Sequence, residues 1–454
     1  MIEILPLLEC FAPVLRATTY QQMSRIALAM MGMSGRVTML GMSRWTGAGG
    51  SYRTVQRFFA TVIPWASLFW LFFRTHLYRQ EEVYLLAGDE VVVTKAGKAT
   101  HGLDRFFASL YGKPVPGLAF FALALVSVQT RHAFPIAIEQ IRRSEAEKAA
   151  SKAKAAAKQA KPAGAKCAQR AGAGRPKGSK NQSKGEVQLT PELGRIQALV
   201  GALLQRIAGF LPLTYLLLDG HFGNHNALQM AGQCHLHLIS KLRADAALFF
   251  AYAGPYCGRG PRRKYGERVN YRYLPDQYLK ETRLDGRIQT CFYQATLLHK
   301  EFSQPLNVVI IVKTNLDTQA TAHVVLFSSD LDLAYAQLVT YYSLRFQIEF
   351  NFRDAKQFWG LEDFMNISPI AVTNAANLAL FMVNLSYRLL LDFRRSHLDF
   401  SLLDLKALAR GYRYMEETIQ LLPQKPEPFL LTQIFNRVTA LGQIHAPYPV
   451  LVPP

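Results

Sequence analysis

The sequence predicts an α/β protein with a helical N-terminal region and a strand-rich insertion. Two apolar runs, residues 83–89 and 213–219, each end in an aspartate and have the composition of buried strands. Residues 191–210, between them, carry apolar side chains at helical spacing, and residues 342–356 carry polar side chains at spacings of three, four and seven. Strands that alternate with helices in this way are typical of an α/β fold.

Residues 1–80 are predicted to be helical. Apolar residues before position 42 and in the run 51–59 have helical spacing, and the glycines of 41–50 supply a turn. The second helix opens at Ser51, a residue type that favours the N-cap position. Its Arg53 and Arg57 are one turn apart, so the pair of helices resembles a helix-turn-helix whose arginines contact DNA. An ordinary amphipathic helix with a solvated arginine face fits this segment equally well.

Residues 81–141 have strand character. The runs 83–89, 117–128 and 133–138 are apolar, and glycines at 97, 102 and 112 mark turns between the first two. Several strands in succession predict a meander with a buried face.

Residues 142–184 differ sharply in composition from the rest of the chain. They hold 13 Lys or Arg and 2 Glu, so that 13 − 2 = +11 of the net charge of +20 lies here. With few large apolar groups the segment has no means of building a core. Arg175 and Lys177 flank a proline in a run that resembles a minor-groove hook for A·T-rich DNA, but a flexible basic linker is the preferred interpretation.

The remaining chain completes the predicted organisation. Residues 245–335 are rich in strands and basic side chains, with Arg262, Arg263 and Lys264 in one run that would contact DNA. The predicted parts are a helical DNA-binding region (1–80), the first part of a core (81–141), a flexible basic segment (142–190), the second part of the core (191–244), a β-rich insertion (245–335), the last part of the core (336–395) and a helical C-terminal region (396–454).

Charge and composition narrow the class of protein. The net charge of +20 and pI near 9.8 favour a polyanionic partner, with nucleic acid before an anionic membrane. A basic protein with a solvated surface is the alternative. The five cysteines show no metal-type spacing, which predicts reduced thiols in a cytoplasmic protein, and the longest apolar runs are too short to cross a bilayer.

The segment 342–356 is the most informative part of the chain. On a helix, Tyr342, Arg345, Glu349 and Lys356 form one stripe, with a single carboxylate among two cations and a phenol. Such a stripe suits a site that handles both a metal and phosphates. The apolar residues between them alternate with polar ones, however, and by periodicity alone that alternation indicates a strand. A helix packed on two sides is the preferred prediction.

Three acids stand in positions where metal ligands gather. Asp89 and Asp219 end apolar strands, and Glu349 lies on the polar stripe. Three converging carboxylates can hold two divalent cations, which would generate the nucleophile and stabilise the leaving oxygen in phosphate chemistry. Each acid alone has a structural explanation as a turn residue, a cap or half of an ion pair. Glu90 and Asp104 are the alternatives to Asp89.

The signature Tyr342-x2-Arg345-x3-Glu349-x6-Lys356 resembles that of bacterial insertion-sequence transposases with a DDE catalytic domain, in the group with a strand-rich insertion before the glutamate. Residues 88–98 and 218–222 resemble the regions of the first and second aspartate. The basic run 261–266 and residues 360–363 also resemble the family, so the likeness covers roughly residues 83–390. The basic segment between the two aspartates is unusually long for the family and is expected to loop out.

The resemblance implies a ribonuclease H-like catalytic core. Asp89, Asp219 and Glu349 would bind two Mg²⁺ ions, for which Mn²⁺ can substitute, and Tyr342, Arg345 and Lys356 would contact phosphates near the cleaved end. The expected function is a DNA transposase that cuts at terminal inverted repeats and joins the ends to target DNA, as a homodimer on DNA in the bacterial nucleoid. A stand-alone metal-dependent nuclease and a non-catalytic DNA-binding descendant are the alternatives.

Overall fold

The fold is seen in a computed structural model that describes residues 4–445, apart from 48, 109–110, 150–152, 154–186, 257 and 259–260. Most of the basic segment, with Arg175, Lys177 and the predicted minor-groove hook, lies outside these residues.

The strands of the described chain join in one sheet of twelve. They are β1 (Tyr84–Thr94), β2 (Asp104–Ala108), β3 (Lys113–Ser127), β4 (Ala133–Ile141), β5 (Tyr215–Leu217), β6 (His237–Leu242), β7 (Leu248–Ala251), β8 (Tyr265–Arg268), β9 (Leu279–Asp285), β10 (Ile288–His299), β11 (Leu306–Asn315) and β12 (Thr321–Ser328).

Five strands in the order β4-β3-β1-β5-β6 form the core of the sheet. β3 pairs antiparallel with both β1 and β4, whereas β1, β5 and β6 run parallel to one another. The parallel strands need a crossover between them, and helices supply it. This mixed arrangement is that of a ribonuclease H-like core, so the fold class predicted from the sequence is confirmed.

The strand-rich segment continues the same sheet. β12 pairs antiparallel with β6, and β11 and β10 follow it outward. β9 pairs with β10 at one edge, and almost all of its residues are exposed. β10 also pairs with β7, which pairs with β8. The chain therefore leaves the core after β6 and returns to it through β12.

Helices surround the sheet and form the N- and C-terminal regions. Within the described residues they are α1 (Leu5–Leu8), α2 (Ala17–Gly32), α3 (Met39–Trp45), α4 (Tyr52–Ala60), α5 (Trp65–Phe72), α6 (Pro191–Ile207), α7 (His225–Gln233), α8 (Tyr335–Leu344), α9 (Gln347–Phe358), α10 (Pro369–Arg394), α11 (Leu402–Leu421) and α12 (Pro428–Ala440). A π-helical turn, Phe73–Leu77, extends α5.

Helix α10 is the central helix of the core. It is long and apolar enough to cross a membrane by composition, but 78% of its apolar window is buried inside the protein. Its Asn374 accepts a hydrogen bond from the Trp65 indole at 2.7 Å and donates to the carbonyls of Phe59 and Thr61 at 2.9 and 2.7 Å. A buried amide with all these partners satisfied joins the N-terminal helices to the core.

The N-terminal helices agree in part with the prediction. The Ser51 hydroxyl accepts a hydrogen bond from the Thr54 backbone at 3.4 Å, so the predicted N-cap of α4 is confirmed. The turn is shorter than predicted, however, because Gly41 lies within α3 and the helix runs on to Trp45. The Thr38 side chain caps α3, which lets the helix begin before the glycines.

Candidate active site

Asp89 lies within β1, not at its end as the sequence predicted. The strand continues through Val91, Val92 and Val93, since β-branched residues favour extended backbone and pair here with β3. The Asp89 carboxylate is largely buried, and its Oδ1 accepts a hydrogen bond from the Glu90 backbone at 2.8 Å.

Asp219 lies beside Asp89 because of the strand register. Ala87 of β1 pairs with Leu217 of the parallel strand β5, and each aspartate lies two residues further along. Because side chains alternate with a period of two, both aspartates extend from the same side of their strands. The Asp219 Oδ1 accepts from the His221 backbone at 3.1 Å, and its carbonyl accepts from the Ser240 hydroxyl at 2.7 Å.

Glu349 is supplied by the helical segment that follows the insertion. This segment is helical, as predicted, but it is two helices, and Arg345 and Phe346 lie at the junction between α8 and α9. The backbone there tightens to hydrogen bonds three residues apart, for example from Arg345 to Tyr342 and from Glu349 to Phe346. The alternating apolar residues therefore pack on a helical path rather than a strand.

Arg345 connects two of the three acids. One guanidinium nitrogen lies 2.8 Å from the Asp89 Oδ2, and the other lies 3.0 Å from the Glu349 Oε1. The arginine side chain is only 13% exposed. Two charge-assisted hydrogen bonds from one planar group fix the positions of both carboxylates.

The electrostatics show that Asp219 belongs to the same cluster. Burial raises the pKa of Asp89, the negative charges of Asp219 and Glu349 raise it further, and Arg345 opposes them. Burial also raises the pKa of the Tyr342 phenol, near Arg345, Asp219 and Asp89. Burial would lower the pKa of Arg345, but Asp89, Tyr342 and Glu349 together outweigh it and the pKa is raised. The site thus concentrates negative charge around one buried cation.

The donor set is of the type that binds hard divalent cations. Carboxylate oxygens are the ligands that Mg²⁺ and Mn²⁺ prefer. Within the described residues no three His, Cys, Asp or Glu side chains already stand close enough to hold one metal ion. Arg345 lies between Asp89 and Glu349 and is the cation that pairs with both carboxylates.

Lys356 lies on the same face of α9 as Glu349, but its partners differ from the three acids of the site. Its ammonium donates to the Val92 carbonyl at 2.9 Å and lies 2.9 Å from the Glu362 carboxylate. Lys95 donates to the carbonyls of Glu362 and Phe364 at 2.9 and 2.7 Å. These contacts hold the end of α9 against β1. Lys356 makes them in place of contacts with Tyr342, Arg345 and Glu349.

A second group of charged residues, which was not predicted from the sequence, lies beside the site. His221 lies 3.6 Å from Glu192, which is in the first turn of α6, and that contact raises the pKa of His221. Glu90 faces this pair, and burial, followed by the charge of Glu192, raises its pKa. Asp104 pairs instead with Arg143 at 4.0 Å. In the sequence, the position of His221 two residues after Asp219 was the feature that could have indicated this group.

Within the described residues, five predicted DNA-contacting side chains outside the acid cluster are on the surface. Arg53 and Arg57 are exposed on α4, and Arg262, Arg263 and Lys264 are exposed in the loop before β8. The Arg263 guanidinium lies 4.9 Å from the Tyr252 ring. These side chains are free to meet a polyanion but make no contact with the acids described above.

Comparison with known proteins identifies a family. Residues 6–291, more than half of the chain, match the family described as DDE superfamily endonuclease. The matched range contains Asp89 and Asp219 and ends before Glu349. A search of curated proteins found no match.

Proposed function

The chain belongs to the DDE superfamily endonucleases, and we propose that it is a DNA transposase that cuts at the terminal inverted repeats of its element and transfers the ends to target DNA. The contacts of Arg345 with Asp89 and Glu349, and the charge of Asp219 acting on Asp89, in a ribonuclease H-like sheet support this proposal most directly. A family of endonucleases acts on DNA, and the net charge of +20 suits that substrate.

In the proposed mechanism Asp89, Asp219 and Glu349 bind two divalent cations, Mg²⁺ or Mn²⁺. When bound, the cations would lower the pKa of the attacking water or 3′-hydroxyl and stabilise the leaving oxygen. β1 and the turn after β5 hold the two aspartates in fixed register, so these two ligands need little reorganisation. Glu349 has a side chain that is 40% exposed and completes the set from α9.

The phosphate to be cleaved would be oriented by Tyr342 and Arg345. A phenol donates one hydrogen bond, and a guanidinium can bind a phosphate with two parallel ones. Lys356 can serve the same phosphate only if it leaves Glu362 and the Val92 carbonyl. Its present contacts support a role in fixing α9 alongside the role that the family resemblance implies.

Affinity for DNA would come from surfaces away from the acids. Arg53 and Arg57 on α4, and Arg262, Arg263 and Lys264 before β8, are exposed cations. Contacts of this kind to the phosphate backbone release counterions, so binding should weaken steeply as salt rises. We propose that a homodimer on DNA brings both element ends together.

The experiment begins with the DNA that flanks the coding region, where inverted repeats would define the substrate. A duplex with the terminal repeat is incubated with Mg²⁺ and protein, and cleavage is followed on a gel. We expect D219N and E349Q to abolish cleavage, and D354N to retain it. Asp354 is the matched control because it lies on the same helix as Glu349 and pairs with Arg353 at 2.9 Å.

A circular plasmid added as target separates the possible reactions. Joined products support transposition, whereas cleavage without joining identifies a stand-alone nuclease. Binding of the repeat with no cleavage under Mg²⁺ or Mn²⁺ would identify a non-catalytic DNA-binding protein. Full cleavage by D219N or E349Q would overturn the assignment of the acids.

A further inference from the structure

The position of Arg345 raises a question about how a cation enters the site. Its guanidinium uses separate nitrogens for Asp89 and Glu349, at 2.8 and 3.0 Å, and both contacts are shielded from solvent on the arginine side. A divalent cation needs the same carboxylate oxygens. Two positive groups within about 3 Å of the same oxygens repel strongly at low dielectric.

We propose that Arg345 is the internal counter-cation of the metal-free site, and that it must leave Asp89 and Glu349 before a divalent cation binds them. This inference rests on the proposed function, since it takes these carboxylates as metal ligands. It assigns Arg345 a positioning role in the free protein that differs from the phosphate contact implied by the family resemblance.

The proposal connects the two roles of Arg345 thermodynamically. A phosphate that captures the guanidinium removes it from the carboxylates and so favours the cation. By linkage, the cation then favours the phosphate by the same factor. Metal and DNA would therefore bind cooperatively, and the free protein would hold divalent ions weakly.

The chain offers an internal control for charge alone. Arg345 and Arg353 lie four residues before and four residues after Glu349, yet only Arg345 bonds to it. Arg353 pairs with Asp354 and lies over the Phe350 ring at 4.8 Å. Removing either arginine takes one positive charge from the neighbourhood of Glu349, but only the removal of Arg345 frees oxygens of Asp89 and Glu349.

The experiment measures Mn²⁺ binding to the full chain without DNA, from the electron paramagnetic resonance signal of free Mn²⁺. We expect R345Q to bind Mn²⁺ at least about fivefold more tightly than the unmodified protein, a typical size for such coupling. R353Q should change the affinity by less than about twofold, and D89N and E349Q should lose the binding. R345K, which keeps the charge but lacks the planar fork, should lie between R345Q and the unmodified protein.

Melting curves supply a second readout. In EDTA, R345Q should melt below R353Q because the largely buried Asp89 carboxylate and the more exposed Glu349 carboxylate have lost their partner. Mn²⁺ should raise the melting temperature of R345Q more than that of R353Q. If R345Q fails to fold, R345K carries the test. The inference would be overturned, and the proposed function left standing, if a folded Arg345 variant bound Mn²⁺ no more tightly than the unmodified protein while D89N and E349Q still lost binding. Normal Mn²⁺ binding by D89N and E349Q would overturn the proposed function as well.

Discussion

Gly360, just beyond the C-terminus of α9, offers a sharp test of how the N-terminal region is joined to the core. Its φ is +75°, and a Cβ at this position would lie 2.5 Å from the Cβ of Val37 and 3.1 Å from the Val37 carbonyl oxygen. Gly209 has a φ of +76° but no atom within 4 Å of the corresponding position. The two glycines share a backbone conformation and differ in their neighbours.

Alanine at each position separates these two effects. The left-handed conformation costs an L-residue about 1–2 kcal/mol, and G209A should lose that much. G360A should lose a further ~1–3 kcal/mol because Val37 has to shift, as in an overpacked core. We therefore expect the free energy of unfolding of G360A to lie at least about 1 kcal/mol below that of G209A.

Urea unfolding, monitored by circular dichroism at 222 nm, measures the difference in the free energy of unfolding between G360A and G209A. The comparison uses the same m-value for both variants. The displacement of Val37 in G360A should also affect Asp363, whose carboxylate accepts a hydrogen bond from the Val37 backbone at 2.9 Å and lies 3.3 Å from Arg36. Hydrogen exchange at the Val37 amide should accordingly quicken in G360A and remain unchanged in G209A. Equal unfolding energies for the two variants would refute the close approach between this turn and the N-terminal region.

Three further substitutions, with N377L as a control for the first, test other buried polar groups. N374L should lower the free energy of unfolding by about 2–5 kcal/mol because it leaves an indole and two carbonyls without partners. N377L should lower it less, because the Asn377 amide donates to a carbonyl of its own helix. Urea unfolding would measure both changes. Burial would raise the pKa of Asp404, but hydrogen bonds from hydroxyl, His445 and backbone donors lower it, so its stabilisation is complete above pH ~4 and is lost below. The stability gap between the unmodified protein and D404N should therefore narrow in acid. Burial lowers the pKa of Lys406 to about 7, so stability should rise from pH 7 towards 10, and a flat profile for K406M in urea titrations would support this assignment.

Local patterns predicted much of the fold. The Ser51 N-cap and the buried strands around Asp89 and Asp219 follow from spacing and residue type. The helical path of residues 342–356 follows from the spacing of the polar residues, against the strand-like alternation of the apolar ones. The extent of β1 was not predicted. An acid in the middle of a strand looks like the end of that strand in the sequence, and only the pairing of β1 with β3 shows that the strand continues. The junction at Arg345 was missed for a similar reason, since its backbone stays near helical values while its hydrogen bonds change.

By itself, the sequence determined the residue types of the site and the spacing of Arg345, Glu349 and Arg353, because helical geometry makes residues four apart neighbours. Only the tertiary structure decided which arginine pairs with Glu349. Asp89 approaches from β1 on the side of Arg345, and a second carboxylate holds that guanidinium in place. The same approach of β1 gave Lys356 a carbonyl partner. Pairings of this kind depend on strands more than 250 residues away in the chain, which no local spacing encodes.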